Sequence, residues 1–170
     1  MWNFRMHLAT GDPKFLDALE NTLYNAILSG ISLSGDRYFY ANPLLSPGGQ
    51  GRAEWFQCAC CPHVARLLAS LPGYLYATSE EGLRLNLLVG NRSRLSVGGE
   101  EVEVEVCTDY PWGGEAEVEV NPRGRGDFRF LLRIPTWVKG AKVEVNGNPL
   151  GSVGPGYVSL ERNWRETWSG

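Results

Sequence analysis

The chain has no block of lysine and arginine, and its formal net charge is −3. That removes the electrostatic footprint by which nucleic acid or an anionic membrane would be held, so neither is expected as a partner. No apolar run approaches the roughly 20 residues needed to cross a bilayer. The opening MWNFRMHLAT lacks a basic leader, an apolar core and a cleavage site, so it does not read as a signal peptide and a cytoplasmic location is expected. Internal repeats and low-complexity tracts are absent. Cysteine is scarce, with four in 170 residues, and three of the four are clustered rather than spread. This excludes a disulfide scaffold and favours a metal or a reactive thiol in a reducing compartment.

What is present divides near residue 80. Before it the pattern is helical. In GDPKFLDALENTLYNAILSG, Asp12 is placed to cap a helix and Pro13 to take its first position. Phe15, Leu19, Leu23 and Ile27 recur at a spacing of four, Leu16 and Leu28 widen the stripe, and Gly30 supplies a stop. MWNFRMHLA suits an earlier helix with Trp2, Met6 and Ala9 on one side. A third helix is expected from Pro62 to about Leu71, ended by Pro72-Gly73. The Pro/Gly-rich SGDRYFYANPLLSPGGQGRAEWF between the second and third is a long loop with a short aromatic strand.

After residue 80 the period is two. Val102, Val104 and Val106 alternate with Glu101, Glu103 and Glu105, and Val118 and Val120 with Glu117 and Glu119. Phe128, Phe130, Leu132 and Ile134 alternate with Arg129, Leu131 and Arg133, and AKVEVNGNPL is a strand entering a turn at Asn146-Gly147. Short strands of this kind, separated by Gly, Pro and Asn, indicate an antiparallel β-sandwich. The acidic faces of the first two strands are expected to pair with the arginine face of the third. The chain is thus mixed α+β, with a helical unit over 1–78 and a β-sandwich unit over 79–170.

EWFQCACCPHVARLL holds Cys58, Cys60 and Cys61 just ahead of the third helix. With Pro62 in the first helical position, Cys61 is the N-cap and Cys60 lies just outside it. Unpaired N–H groups and the partial positive charge of a helix start stabilise thiolate over thiol. A thiolate is both a nucleophile and a soft metal ligand. Spacing alone leaves three readings open: inert packing, a metal site and a redox pair, because no second Cys or His pair completes a structural zinc motif. His63 is a candidate ligand or an exposed first-turn residue. Cys107, far along the chain in a strand, is expected in the core.

Several stretches in order carry a resemblance: MWNFRMHLATGDPKFLDALENTLYNAILSGISLSGDRYFYANPL, RAEWFQCACCPHVARLLASLPGYLYA, TDYPWGGEAEVEVNP, FRFLLRIPTWVKGAKVEVNG and GYVSLERNW. Together they resemble glycoside hydrolase family 127, the beta-L-arabinofuranosidases. The resemblance implies the end of an (α/α)6 catalytic barrel, about three helices, followed by a β-sandwich. It implies a zinc ion bound by a glutamate, a cysteine and two adjacent cysteines. Carried over, Cys60 is the nucleophile and a zinc ligand, Cys61 is the neighbouring ligand, and Tyr40 of YANPL lines the sugar pocket. Family members usually show Pro-Asn after Cys-Cys-Pro, where this chain has His63 and Val64.

The chemistry implied is retaining glycoside hydrolysis with a thiolate in place of the usual carboxylate nucleophile. The family's general acid glutamate and its Glu-x-Cys zinc motif lie upstream of the stretch that Met1 matches. The resemblance therefore implies a fragment with no acid/base residue of its own and an incomplete zinc site, inactive alone. Its substrate would be an arabinose-containing oligosaccharide or glycoconjugate in an intact enzyme, and its uncovered helix stripes would favour self-association. The competing class is a non-catalytic carbohydrate-binding β-sandwich module, in which Tyr110, Trp112, Trp137 and Tyr157 would stack on sugars.

Overall fold

The computed structural model describes residues 1–41, 43–55, 61–80, 82–124 and 126–164, with Cys61 by its backbone only. Helix α1, Trp2–Thr10, ends at Gly11, whose φ of 70° lets its N–H reach the His7 carbonyl at 2.7 Å. Its packed side carries Phe4, 4.5 Å from the Tyr74 ring, and the buried His7. Trp2 is 72% exposed and Ala9 is exposed, so the expected Trp2/Met6/Ala9 face is not the one that packs. The surface beneath α1 is polar, and it is met by a histidine.

Helix α2, Lys14–Thr22, begins one residue later than the proline pattern suggests, and Asp12 Oδ1 accepts the Lys14 N–H at 3.0 Å. A π-helical turn, Leu23–Ile27, and a 3₁₀ turn, Leu28–Gly30, prolong it to the expected stop. Leu16, Leu19 and Leu23 are buried along it. Helix α3 is Cys61–Ser70. Pro72-Gly73 does not end the helical run: Pro72 opens a further turn, α4, Pro72–Leu75, where its missing N–H goes unused. None of the described helices is long and apolar enough to cross a membrane.

Strands β1, Arg37–Tyr38, and β2, Ala53–Glu54, pair antiparallel within the long loop. From α4 the chain runs directly into β3, Tyr76–Thr78, and then β4, Gly82–Leu85. A three-stranded antiparallel sheet follows, made of β5, Asn91–Val97, β6, Glu100–Thr108, and β7, Ala116–Pro122, in that order. Strand β8, Asp127–Ile134, returns to the first sheet. The β9–β10 hairpin, Ala141–Val145 and Asn148–Val153, turns at Asn146 and Gly147, both at positive φ as a two-residue hairpin loop requires. Strand β11, Gly156–Asn163, completes the four-stranded order β11-β8-β4-β3.

That sheet is not wholly antiparallel, because β4 and β8 run parallel. The intervening β5–β7 sheet serves as the crossover that parallel neighbours need. The pairing is close at Gly82, where a Cβ would stand 2.3 Å from the Arg129 carbonyl oxygen. Leu83, Leu85 and Phe130 of one sheet share a core with Val102, Val104 and Val106 of the other.

The outward faces differ from expectation. The glutamates of β6 pair with Arg92 and Arg123: Arg123 Nε lies 2.9 Å from Glu101, and Arg92 bonds Glu105. They do not meet Arg129 and Arg133, because β8 belongs to the other sheet. Arg129 instead bonds Glu161 on β11 at 2.7 Å. Cys107 is exposed rather than in the core, since the valines at 102, 104 and 106 take the inward phase of β6.

Candidate active site

The cysteine segment begins where β2 ends. Trp55, its last described neighbour, stacks on Tyr38 at 4.9 Å with the rings 18° apart, and its Nε1–H donates to the Gly35 carbonyl at 2.7 Å. Arg52 lies over Phe39 at 4.3 Å and donates to the Ser29 and Gly30 carbonyls at 3.1 and 3.2 Å. The strand β2 that leads to the cysteines is thereby tied to the last turn after α2, where the Gly30 carbonyl also accepts the Phe39 N–H at 2.9 Å. On the far side, α3 starts at Cys61. Tyr40 is 62% exposed and meets Tyr38 edge-on at 6.2 Å, so Tyr40 and Trp55 share one aromatic cluster with Tyr38.

Cys58 and Cys60, with the side chain of Cys61, lie outside the described residues. His63 is exposed on the first turn of α3. Among the described residues, no group of three or more His, Cys, Asp or Glu side chains stands together as a metal site. Of the four aromatic candidates, Trp137 Nε1–H donates to the Tyr110 hydroxyl at 3.0 Å, Tyr157 is tied into a polar cluster, and Trp112 is 92% exposed.

That polar cluster joins the helices to the four-stranded sheet. Arg133, 2% exposed, reaches from β8 to Asp17 Oδ1 and Glu20 Oε2 of α2, each at 2.7 Å, and to the Asn86 carbonyl at 2.7 Å. Burial holds the Glu20 carboxyl above the usual carboxylate range; Arg133 pulls against it, and Asp17 adds a like charge on the same guanidinium. Beside it His7 Nδ1 stands 3.2 Å from the Asp12 carbonyl, and Nε2 stands 3.2 Å from the Tyr157 hydroxyl. Tyr157 is also 2.7 Å from Asn86 Oδ1, and burial pushes its hydroxyl up to about 12 against the pull of Arg84 and Arg133. Sequence reasoning missed this cluster. Glu20, interrupting the leucines of α2 between Leu19 and Leu23, was its available signal.

Helices joined through this buried polar cluster to a sheet, followed by a second antiparallel sheet, define a mixed α+β chain. The beta-L-arabinofuranosidase GH127 catalytic-domain model matches residues 1–73, and the GH127 middle-domain model matches 82–169. The chain belongs to glycoside hydrolase family GH127. It is 35% identical to a non-reducing end beta-L-arabinofuranosidase of Bifidobacterium longum subsp. longum, over 96% of this chain and 28% of that protein. A solved GH127 beta-L-arabinofuranosidase from Geobacillus stearothermophilus T6 shares 36% identity at a TM-score of 0.87, covering 97% of this chain and 28% of its own. Another solved GH127 beta-arabinofuranosidase shares 40% identity at 0.85, covering 95% and 28%. The chain thus spans little more than a quarter of the length of these relatives.

Proposed function

We propose that this chain supplies the nucleophile-bearing end of an (α/α)6 barrel, together with the adjoining β-sandwich, of a retaining beta-L-arabinofuranosidase acting on arabinose-containing glycans. The observation that carries the reading is the GH127 catalytic-domain match across residues 1–73, which include CACCP. Cys60 attacks the anomeric carbon, and the leaving oxygen takes a proton from a carboxylic acid outside this chain. Water, giving its proton to that carboxylate, then displaces the sulfur from the anomeric carbon, restoring the thiolate, the carboxylic acid and the original configuration. Tyr40, with its exposed ring, lines the sugar pocket.

Cys60 and Cys61 fit zinc in kind, as soft donors, but not in number, since such a site takes four ligands. The remaining donors belong to other parts of a whole enzyme. Zinc, when bound, would keep the sulfurs ionised at neutral pH. By itself the chain turns over no substrate, and it self-associates through exposed apolar residues such as Trp2, Leu8 and Leu68. The test is to exchange this chain for the matching quarter of the Bifidobacterium relative and assay an aryl beta-L-arabinofuranoside. The chimera should be active and the isolated chain inactive. Cys60→Ala should lower kcat of the chimera by about a thousandfold or more. An active Cys60→Ala chimera would refute the assignment of the nucleophile.

A further inference from the structure

The helices meet the sheet through an imidazole that is fully buried, although a leucine there would cost nothing in desolvation. His7 faces the Asp12 carbonyl through Nδ1 and the Tyr157 hydroxyl through Nε2. A carbonyl can only accept, so Nδ1 carries a proton in every state. The state of Nε2 is open, because Tyr157 has one proton and two neighbours to receive it. With neutral His7, Tyr157 donates to Nε2, and the Asn86 amide turns its NH2 toward the Tyr157 oxygen. With charged His7, Nε2–H donates to Tyr157, which donates to Asn86 Oδ1. Either arrangement completes the triad, so hydrogen bonding does not decide between them.

Charge does. The groups facing His7 are Arg84 from β4, Arg133 from β8, Tyr157 from β11 and Asn86 just beyond β4, with Asp17 and Glu20 of α2 behind Arg133. Two guanidiniums therefore oppose a third cation; Asp17 and Glu20 are already engaged by Arg133, and the Asp12 carboxylate, which also feels His7, is held by Lys14 at 2.7 Å. We propose that the His7–Tyr157–Asn86 triad is a proton-operated latch between helices α1–α2 and the β4–β8–β11 sheet, closed while the imidazole is neutral and weakened when it is charged. Burial, with Arg84 and Arg133 adding to it, holds His7 below the ordinary histidine range, in keeping with a closed neutral form. The unfolded chain then binds the proton first. The latch's contribution is whole above the unfolded value of 6.5 and is lost as pH falls through that value toward the folded one.

The chain has only two histidines, His7 and His63, which makes the test clean. Urea denaturation of the full chain is measured at pH 7.5 and 5.5. Relative to His7→Gln, the wild-type unfolding constant should rise severalfold on acidification. His63→Gln should keep that rise. Glu20, raised by burial, shifts stability in the opposite sense in all three proteins and cancels in the comparison. Proton NMR on the folded wild type gives an independent reading that stands even if His7→Gln does not fold: the His7 imidazole should titrate below the ordinary histidine value of about 6.5. Amide exchange, corrected for its intrinsic pH dependence, should show α1 and α2 losing protection at pH 5.5 while β6 keeps it. The proposal is overturned if His7 titrates at or above about 6.5, if His7→Gln responds to pH as the wild type does, or if all elements lose protection together.

Discussion

Replacing Arg133 with methionine keeps the length of the side chain and removes its charge. Three hydrogen bonds go with it, to Asp17, Glu20 and the Asn86 carbonyl, each 2.7 Å long in the native protein. Glu20 is 1% exposed, so a carboxylate would be left in a dry junction without its cation. Breaking a buried pair in this way costs about 3–5 kcal/mol. The carboxyl has an escape, however: it can take a proton. From its ordinary value of 4.5 to pH 7, at about 1.36 kcal/mol per unit, that escape sets a ceiling of about 3.4 kcal/mol. Burial has already raised Glu20 in the native protein, so part of this ceiling is used and about 2–3 kcal/mol is expected at pH 7. Because the folded value lies above the unfolded one, the stabilising contribution is fully present below pH 4.5 and fades as pH rises through the folded value. The cost of Arg133→Met should therefore shrink to about 1 kcal/mol or less at pH 5. Adding Glu20→Gln should recover most of the loss at pH 7. Urea denaturation followed by far-UV circular dichroism, at both pH values, measures all of this. A cost that is the same at pH 5 and pH 7, or a double variant no more stable than Arg133→Met, would refute the reasoning.

Gly82→Ala pushes a Cβ into the Arg129 carbonyl at the parallel β4–β8 pairing, where backbone cannot yield cheaply; a loss of about 1–3 kcal/mol is expected in thermal denaturation. Cys107 points outward from β6, so Cys107→Ser should change stability by no more than about 0.5 kcal/mol, and iodoacetamide should label Cys107 in the folded wild type. Labelling only after denaturation would contradict its position.

The helical stripe of α2 was legible because one face repeats at the helical period and is paid for by burial of leucines within the same segment. The valine phase of β6 and the hairpin at Asn146-Gly147 were legible for the same kind of reason: period and turn chemistry act over a few residues. The family was legible from several stretches read in order, whereas the cysteine cluster by its spacing alone left packing, metal and redox readings open.

What the residues by themselves determined, then, was the helical stripe of α2, the inward phase of β6 and the turn at Asn146-Gly147, all of them set by neighbours in the chain. Tertiary structure decided which distant charge meets which. Arg133 and Arg129 sit in one strand and read alike, yet one is buried between two carboxylates of α2 and the other bonds an exposed glutamate of β11. The parallel pairing of β4 with β8 and the inward turn of His7 rather than Trp2 were likewise decided there. Each depends on contacts between segments tens of residues apart, whose partners a local pattern does not name.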